Sequence, residues 1–222
     1  MFANYVNQNP AFLRPLPRIS WIPPPPAIPQ DNSAPSLFKS SDGPYYESMN
    51  SIIELGHKTL RKKASPVADV FSPEIASLID HMVEELQKKK GIGIAAPQIG
   101  VSKQVFIVAP EGLSAPYDSL DNGLVVINPT IICRTETVTY EWEGCLSIPG
   151  IRGYIPRQCD ITITYTNCHG ELKKEHYSDF TARIFLHEYD HLMGVMFIDH
   201  IENIQTDLIT DGFYKMLSED EA

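Results

Sequence analysis

Apolar residues recur at three- and four-residue spacing in SPEIASLIDHMVEELQKKKG (72–91), where Ile75, Leu78, Ile79, Met82, Val83 and Leu86 share one face. This predicts an amphipathic helix: Ser72 can cap it, Pro73 suits its first turn and Gly91 can end it. Further on, the period shortens. QVFIVA (104–109), LVVINP (124–129), TIICRTETVTYEW (130–142) and CDITITYT (159–166) read as strands. The last alternates Ile and Thr and meets ELKKEHYS (171–178) across the turn NCHG, which reads as a hairpin. A second helix is expected to start near Asp179 and run to Met193, with Gly194 as its stop. No internal repeat is visible. This order predicts an α+β fold, with small antiparallel or mixed sheets packed around a central helix that carries the HExxH segment.

Residues 1–50 follow neither period. They hold ten of the 18 prolines, including Pro23 to Pro26. Proline fixes φ and removes a backbone donor, so an extended or disordered appendage is expected there, ahead of a catalytic domain over residues 51–222. Arg14 and Arg18, with no acid in the first 30 residues, faintly echo an organelle transit peptide. The amphipathic pattern and serine richness of such peptides are missing, so organelle targeting is the minor alternative.

Composition narrows the function. A chain of 222 residues with 43% hydrophobic residues can bury a substantial core. The net charge of -10 argues against a nucleic-acid partner and against an anionic membrane surface. No apolar run approaches the length of a membrane span, and no secretory signal pattern is seen. Cys133, Cys145, Cys159 and Cys168 form no CxxC pair, and a chain this long does not need disulfide staples, which points to a reducing compartment.

The candidate chemistry lies in FLHEYDHLMG (185–194). Four residues turn a helix about 40° past a full revolution, so His187 and His191 share a face and can reach one metal ion. Glu188 projects beside them, able to handle the proton of an attacking water. Asp190 is placed one shell out or on the solvated side of the helix. A hydrolytic site wants three protein ligands and one open position. Downstream stand His200 and Glu202, but not the pattern HExxHxxGxxH. Upstream lies EGCLSIPG (143–150), where Cys145 offers a soft, anionic thiolate.

Three separated segments, GIGIAAPQIG (91–100), EGCLSIPG (143–150) and HEYDHLMG (187–194), resemble the signature motifs of peptide deformylases, in the family's order. The likeness covers about residues 52–200 and extends to the arginines of GIRGYIPR and to the TAR within the second helix. It implies that Cys145, His187 and His191 are the metal ligands and that Glu188 is the general acid/base. It also implies that the Gln98 amide and the Leu146 backbone N–H stabilise the oxyanion. Ile92, Gly93 and Gly144 are the candidate substrate contacts, with Ile92 and Ile184 lining an apolar pocket for the methionine side chain. Glu143 and Arg152 are expected to pair and brace the site. Leu186 stands where many members have Gln, a change of packing rather than of mechanism.

The resemblance implies a metal-dependent hydrolase that removes the formyl group from N-formylmethionine of nascent polypeptides in a bacterial cytoplasm, releasing formate. The cofactor would be one divalent ion, Fe2+ favoured, with Zn2+, Ni2+ or Co2+ as alternatives. Some bacterial members dock on the ribosome through a basic C-terminal helix; the acidic tail MLSEDEA gives that contact no support. A zinc metallopeptidase and a catalytically retired binding module are the competing readings.

Overall fold

The computed structural model describes residues 51–219, so the appendage expected over residues 1–50 lies outside the described residues. Helix α1 spans Pro73–Lys89. Ser72 caps it as expected, its hydroxyl accepting from the Ile75 N–H, and Pro73 occupies the first turn. Its end differs from expectation. Lys90, not Gly91, takes the left-handed conformation (φ 53°), and the Gly91 N–H bonds back to the Leu86 carbonyl.

The main sheet is antiparallel throughout, with strands β1 (Gly93–Ala95), β2 (Val105–Val108), β4 (Gly123–Arg134), β7 (Asp160–Thr166) and β8 (Leu172–Ser178) in that order. The short β3 (Asp118–Ser119) pairs with the start of β4. Both faces of its centre are covered, which is why VFIV and LVVI are unbroken apolar runs. Phe106, Val108, Leu124 and Val126 pack with Phe185 and Leu192 on one face, whereas Val105, Ile107, Val125 and Ile127 pack with α1 on the other. Helix α2 (Asp179–Met193), ended by Gly194 at φ 76°, lies on the first of these faces, and its bounds are those read from the sequence.

Three features depart from the strand reading. First, the runs 124–129 and 130–142 are not separate strands divided at Pro129. β4 continues to Arg134 through register shifts, one of them at Asn128 and Pro129, where the Asn128 side chain bonds both the N–H and the carbonyl of Val67. Second, the 130–142 run breaks at residues 135–137, and its second half enters another sheet as β5 (Val138–Cys145). Third, Ile148–Gln158 forms a long strand, β6, despite two glycines and two prolines. β6 pairs with β5 on one side and with β9 (Leu208–Thr210) on the other, completing a three-stranded sheet. Pro156 lies beyond the residues 151–153 that pair with β9, a place where a residue without an N–H is tolerated. A last helix, α3 (Asp211–Glu219), follows β9. Helix α2 is thus held between the main sheet and the small one, as the α+β expectation required. No described helix is long and apolar enough to cross a membrane.

Candidate metal centre and cleft

β5 and α2 bring the chemistry together. β5 ends at Cys145, where the ladder with β6 shifts register, and the thiol is turned toward α2. One turn apart on α2 stand His187 and His191, with ring centroids 5.1 Å apart and planes 77° apart. The Cys145 Sγ lies 3.3 Å from His191 Nε2, and one ligand atom from each of the three residues falls within 4.8 Å of the others. Three upstream or helical donors, not His200 or Glu202, make the triad.

The donor chemistry fits a divalent cation. His187 Nδ1–H donates to Glu143 Oε2 at 2.8 Å, which fixes the tautomer and leaves Nε2 as the nitrogen that could meet a cation. The thiolate accepts from the Ser147 N–H at 3.4 Å and faces Gln98 Nε2 at 3.5 Å. Burial opposes ionisation of Cys145, but the neighbouring His191 and His187 outweigh it and hold the thiol well below its ordinary range. Hydrogen bonds to Cys145 and Glu143 raise His187 against its burial; a cation held there would require that imidazole to be neutral. Of the other thiols, Cys133 is exposed and Cys159 and Cys168 are half-buried; all are free, and none joins the cluster.

Glu188 is buried beside Cys145, His187 and His191, and among the described residues its Oε2 has no hydrogen-bond partner. Burial pushes its carboxyl up to about 7, while His187 and His191 pull in the opposite direction. Gln98 is equally buried. Its Oε1 accepts from the Ala95 N–H at 2.7 Å, so its Nε2 is forced to point toward Cys145 and Ser147. Leu146 is half-buried in the turn between β5 and β6, one residue past the thiol.

A cleft of about 940 Å³ runs from these residues along Ile92, Gly93 and Gly144 to Arg152 and the start of α3. Among the described residues β1 is the edge strand of the main sheet, an arrangement that could offer backbone groups to an extended peptide. Gly93 is buried against Glu188, Ile92 is exposed, and Ile184 lines the cleft floor while packing in the core.

The expected Glu143–Arg152 pair is corrected. Side chains alternate along a strand, and the register sets Glu143 opposite Gly153, with Gly144 opposite Arg152. Glu143 therefore projects from the opposite face to Arg152. It takes both arms of Arg157, with Nε and Nη2 each at 3.0 Å, and Nη1 of Arg183 at 2.7 Å. Burial works against the Glu143 carboxylate, but Arg157 and His187 hold it far below the usual range. Arg152 instead donates to Asp211 Oδ1 at 2.7 Å and lies over the Tyr214 ring of α3. Asp190 is not solvated: Arg157 Nη1 and His200 Nε2 both bond its Oδ2. Arg157, Arg183, Ser147 and His200 are the residues that motif reading did not assign. On β6, Arg157 shares a face with Gly153 and Ile155, a relation that only the pairing with β5 reveals.

The polypeptide deformylase family model matches residues 49–207. Peptide deformylase 2 of Nostoc sp. is 44% identical over 75% of this chain and 93% of its own length. The peptide deformylase of Desulfitobacterium hafniense is 40% identical over 67% of this chain and 91% of its own. Among solved structures, the Thermotoga maritima peptide deformylase superposes with a TM-score of 0.63 at 35% identity, covering 70% of this chain and 99% of that one. The class I type b enzyme of Acinetobacter baumannii, bound to Met-Ala-Ser, gives a TM-score of 0.62 at 34% identity, covering 68% of this chain and 98% of that one. These likenesses decide against the metallopeptidase and the retired-module readings. With its signature motifs folded into one cleft, the chain belongs to the polypeptide deformylase family.

Proposed function

We propose that Cys145, His187 and His191 hold the cation of this metal-dependent hydrolase, and that Glu188 carries the proton through deformylation of N-formylmethionyl peptides. The observation that carries this reading is the meeting, in one cleft, of the three ligand atoms with a buried carboxylate that has an unpartnered oxygen. When bound, Fe2+ (or Zn2+, Ni2+ or Co2+) would supply Lewis acidity and acidify water at the reaction centre. Glu188 Oε2 takes a proton from the attacking water and passes it to the departing amine nitrogen, so that peptide and water become formate and a free amino terminus. Gln98 Nε2 and the Leu146 N–H donate to the oxygen that gains negative charge. Gln98 needs no rearrangement for this, because its other end is fixed on Ala95.

The edge of β1 from Ile92 to Gly93, with Gly144 across the cleft, holds the peptide main chain. Ile92 and Ile184 receive the methionine side chain. Glu143 is structural support: it orients His187 and is itself held by two arginines. Arg152 supports the far end of the cleft through α3 rather than the metal centre. The natural setting is a bacterial cytoplasm, where nascent chains carry the formyl group and a reducing interior protects ferrous iron beside a thiolate.

The test is purification without oxygen, measurement of bound metal, and assay of formate released from formyl-Met-Ala. Formate release with iron, nickel or cobalt loaded is expected; none with any of the three overturns the reading.

A further inference from the structure

His187 stands at one end of a continuous chain of polar side chains. Its Nδ1 bonds Glu143, and Glu143 takes Arg157 through two oxygens. Arg157 reaches on with Nη1 to Asp190 Oδ2, and the same oxygen accepts from His200 Nε2 at 2.7 Å. Glu143, Arg157 and Arg183 are almost wholly buried, and Asp190 nearly so. Two buried carboxylates face two buried guanidiniums, and Arg183 also meets the half-exposed Glu141 at 3.4 Å. His200 differs from the rest. It belongs to the 3-10 turn Phe197–His200, outside α2, and its side chain is 33% exposed.

We infer that His200 is a positioning residue for the metal centre, acting on His187 through Asp190, Arg157 and Glu143. This rests on the reading of Cys145, His187 and His191 as ligands. The geometry fixes how the action runs. His200 Nε2 must carry a hydrogen, because its near partner is a carboxylate oxygen. Its 3.4 Å approach to Arg157 Nη1 sets two donors side by side and is not a bond. Asp190 Oδ2 is therefore the joint on which His200 and Arg157 both hang. Without the His200 donor, Asp190 loses one of the two groups that fix its rotation. Arg157 Nη1 follows Asp190, and the fork that holds Glu143 follows Arg157. The carboxylate that sets the tautomer and direction of the His187 ring is then less firmly placed. Partners one shell out from a metal set the orientation and basicity of the ligands, and their loss costs about 10–100-fold in affinity.

The experiment uses the full chain and Co2+ as the probe, with affinity measured by chelator competition and ligand geometry read from the thiolate-to-cobalt charge-transfer band. His200→Ala is expected to lower Co2+ affinity about tenfold and to shift or weaken the band. His200→Gln, whose Nε2–H can stand where the imidazole donor stood, is expected to restore affinity to within about twofold of the parent. The half-exposed position lets both variants keep the parent's unfolding midpoint to within a few degrees. Affinity and band unchanged in His200→Ala overturn this role alone, as does a His200→Gln variant as weak as His200→Ala. A parent chain that binds no Co2+ overturns the ligand assignment, and this role with it.

Discussion

Gly93 and Glu188 touch in a way that no other residue at position 93 allows. A Cβ on Gly93 would stand 2.4 Å from Glu188 Oε1 and 2.9 Å from its Cδ. The glycine is needed for this close approach and not for an unusual backbone angle, since Gly93 is absent from the positive-φ residues. Gly93→Ala must therefore move the carboxylate, and displacement of a reacting group by about 1 Å costs on the order of 100-fold in rate. The expected outcome is a loss in kcat of that size with bound metal retained, read from formate release beside metal analysis. Full activity would show that Glu188 does not work from this position.

Removing the ligand and removing the proton carrier should separate cleanly. Cys145→Ala takes away the anionic donor of the triad, so metal content after dialysis is expected to fall to near zero. Glu188→Ala touches no ligand atom; metal should stay bound while turnover drops about 100- to 10,000-fold. Normal metal binding by Cys145→Ala would remove the thiolate from the ligand set.

Arg157 joins two buried carboxylates, Glu143 and Asp190, and is itself 4% exposed. Arg157→Leu would leave both acids without their main counter-charge. Breaking a buried pair by removing one partner costs about 3–5 kcal/mol, because the surviving charge is stranded. The urea midpoint is expected to fall accordingly. Arg152→Leu is the contrast: its partner Asp211 is partly solvated, and a pair of that kind is worth about 0–1 kcal/mol. Equal losses in the two variants would contradict the assignment of Arg157 as the brace.

How much of this was legible in the sequence depends on whether a feature is local. Helix α2 was readable, its end to the residue, because Gly194 ends it and because its chemistry repeats at helical spacing. The meeting of Cys145, His187 and His191 was readable because the motifs carry these residues on their own short segments. β6 was hidden, since Gly150, Gly153, Pro149 and Pro156 all argue for a turn, and only pairing with β5 and β9 makes them a strand. The brace was misassigned for the same reason. Which of two nearby arginines meets Glu143 is set by inter-strand register, and no single segment records that. Nor does local sequence record the break at residues 135–137 that sends one apolar run into two sheets.

Asp80, on α1, gives a pH test far from the metal ligands. Burial, and then the charge of Glu84 one turn on, push its carboxyl up to about 6 from an ordinary 3.8. Between those values the folded chain binds more protons than the unfolded one, so stability falls as pH rises through the window. The penalty is complete above about pH 6 and absent below the ordinary value. Asp80→Asn removes the charge and should stabilise the protein at pH 7 to 8. The gain should be about 1 kcal/mol, once screening at a half-exposed group is allowed for. In thermal unfolding this is a rise of about 2–4 °C. At pH 3, below both values, the variant and the parent should melt together. A gain of the same size at both pH values would mean that packing, not charge, is what the substitution changed.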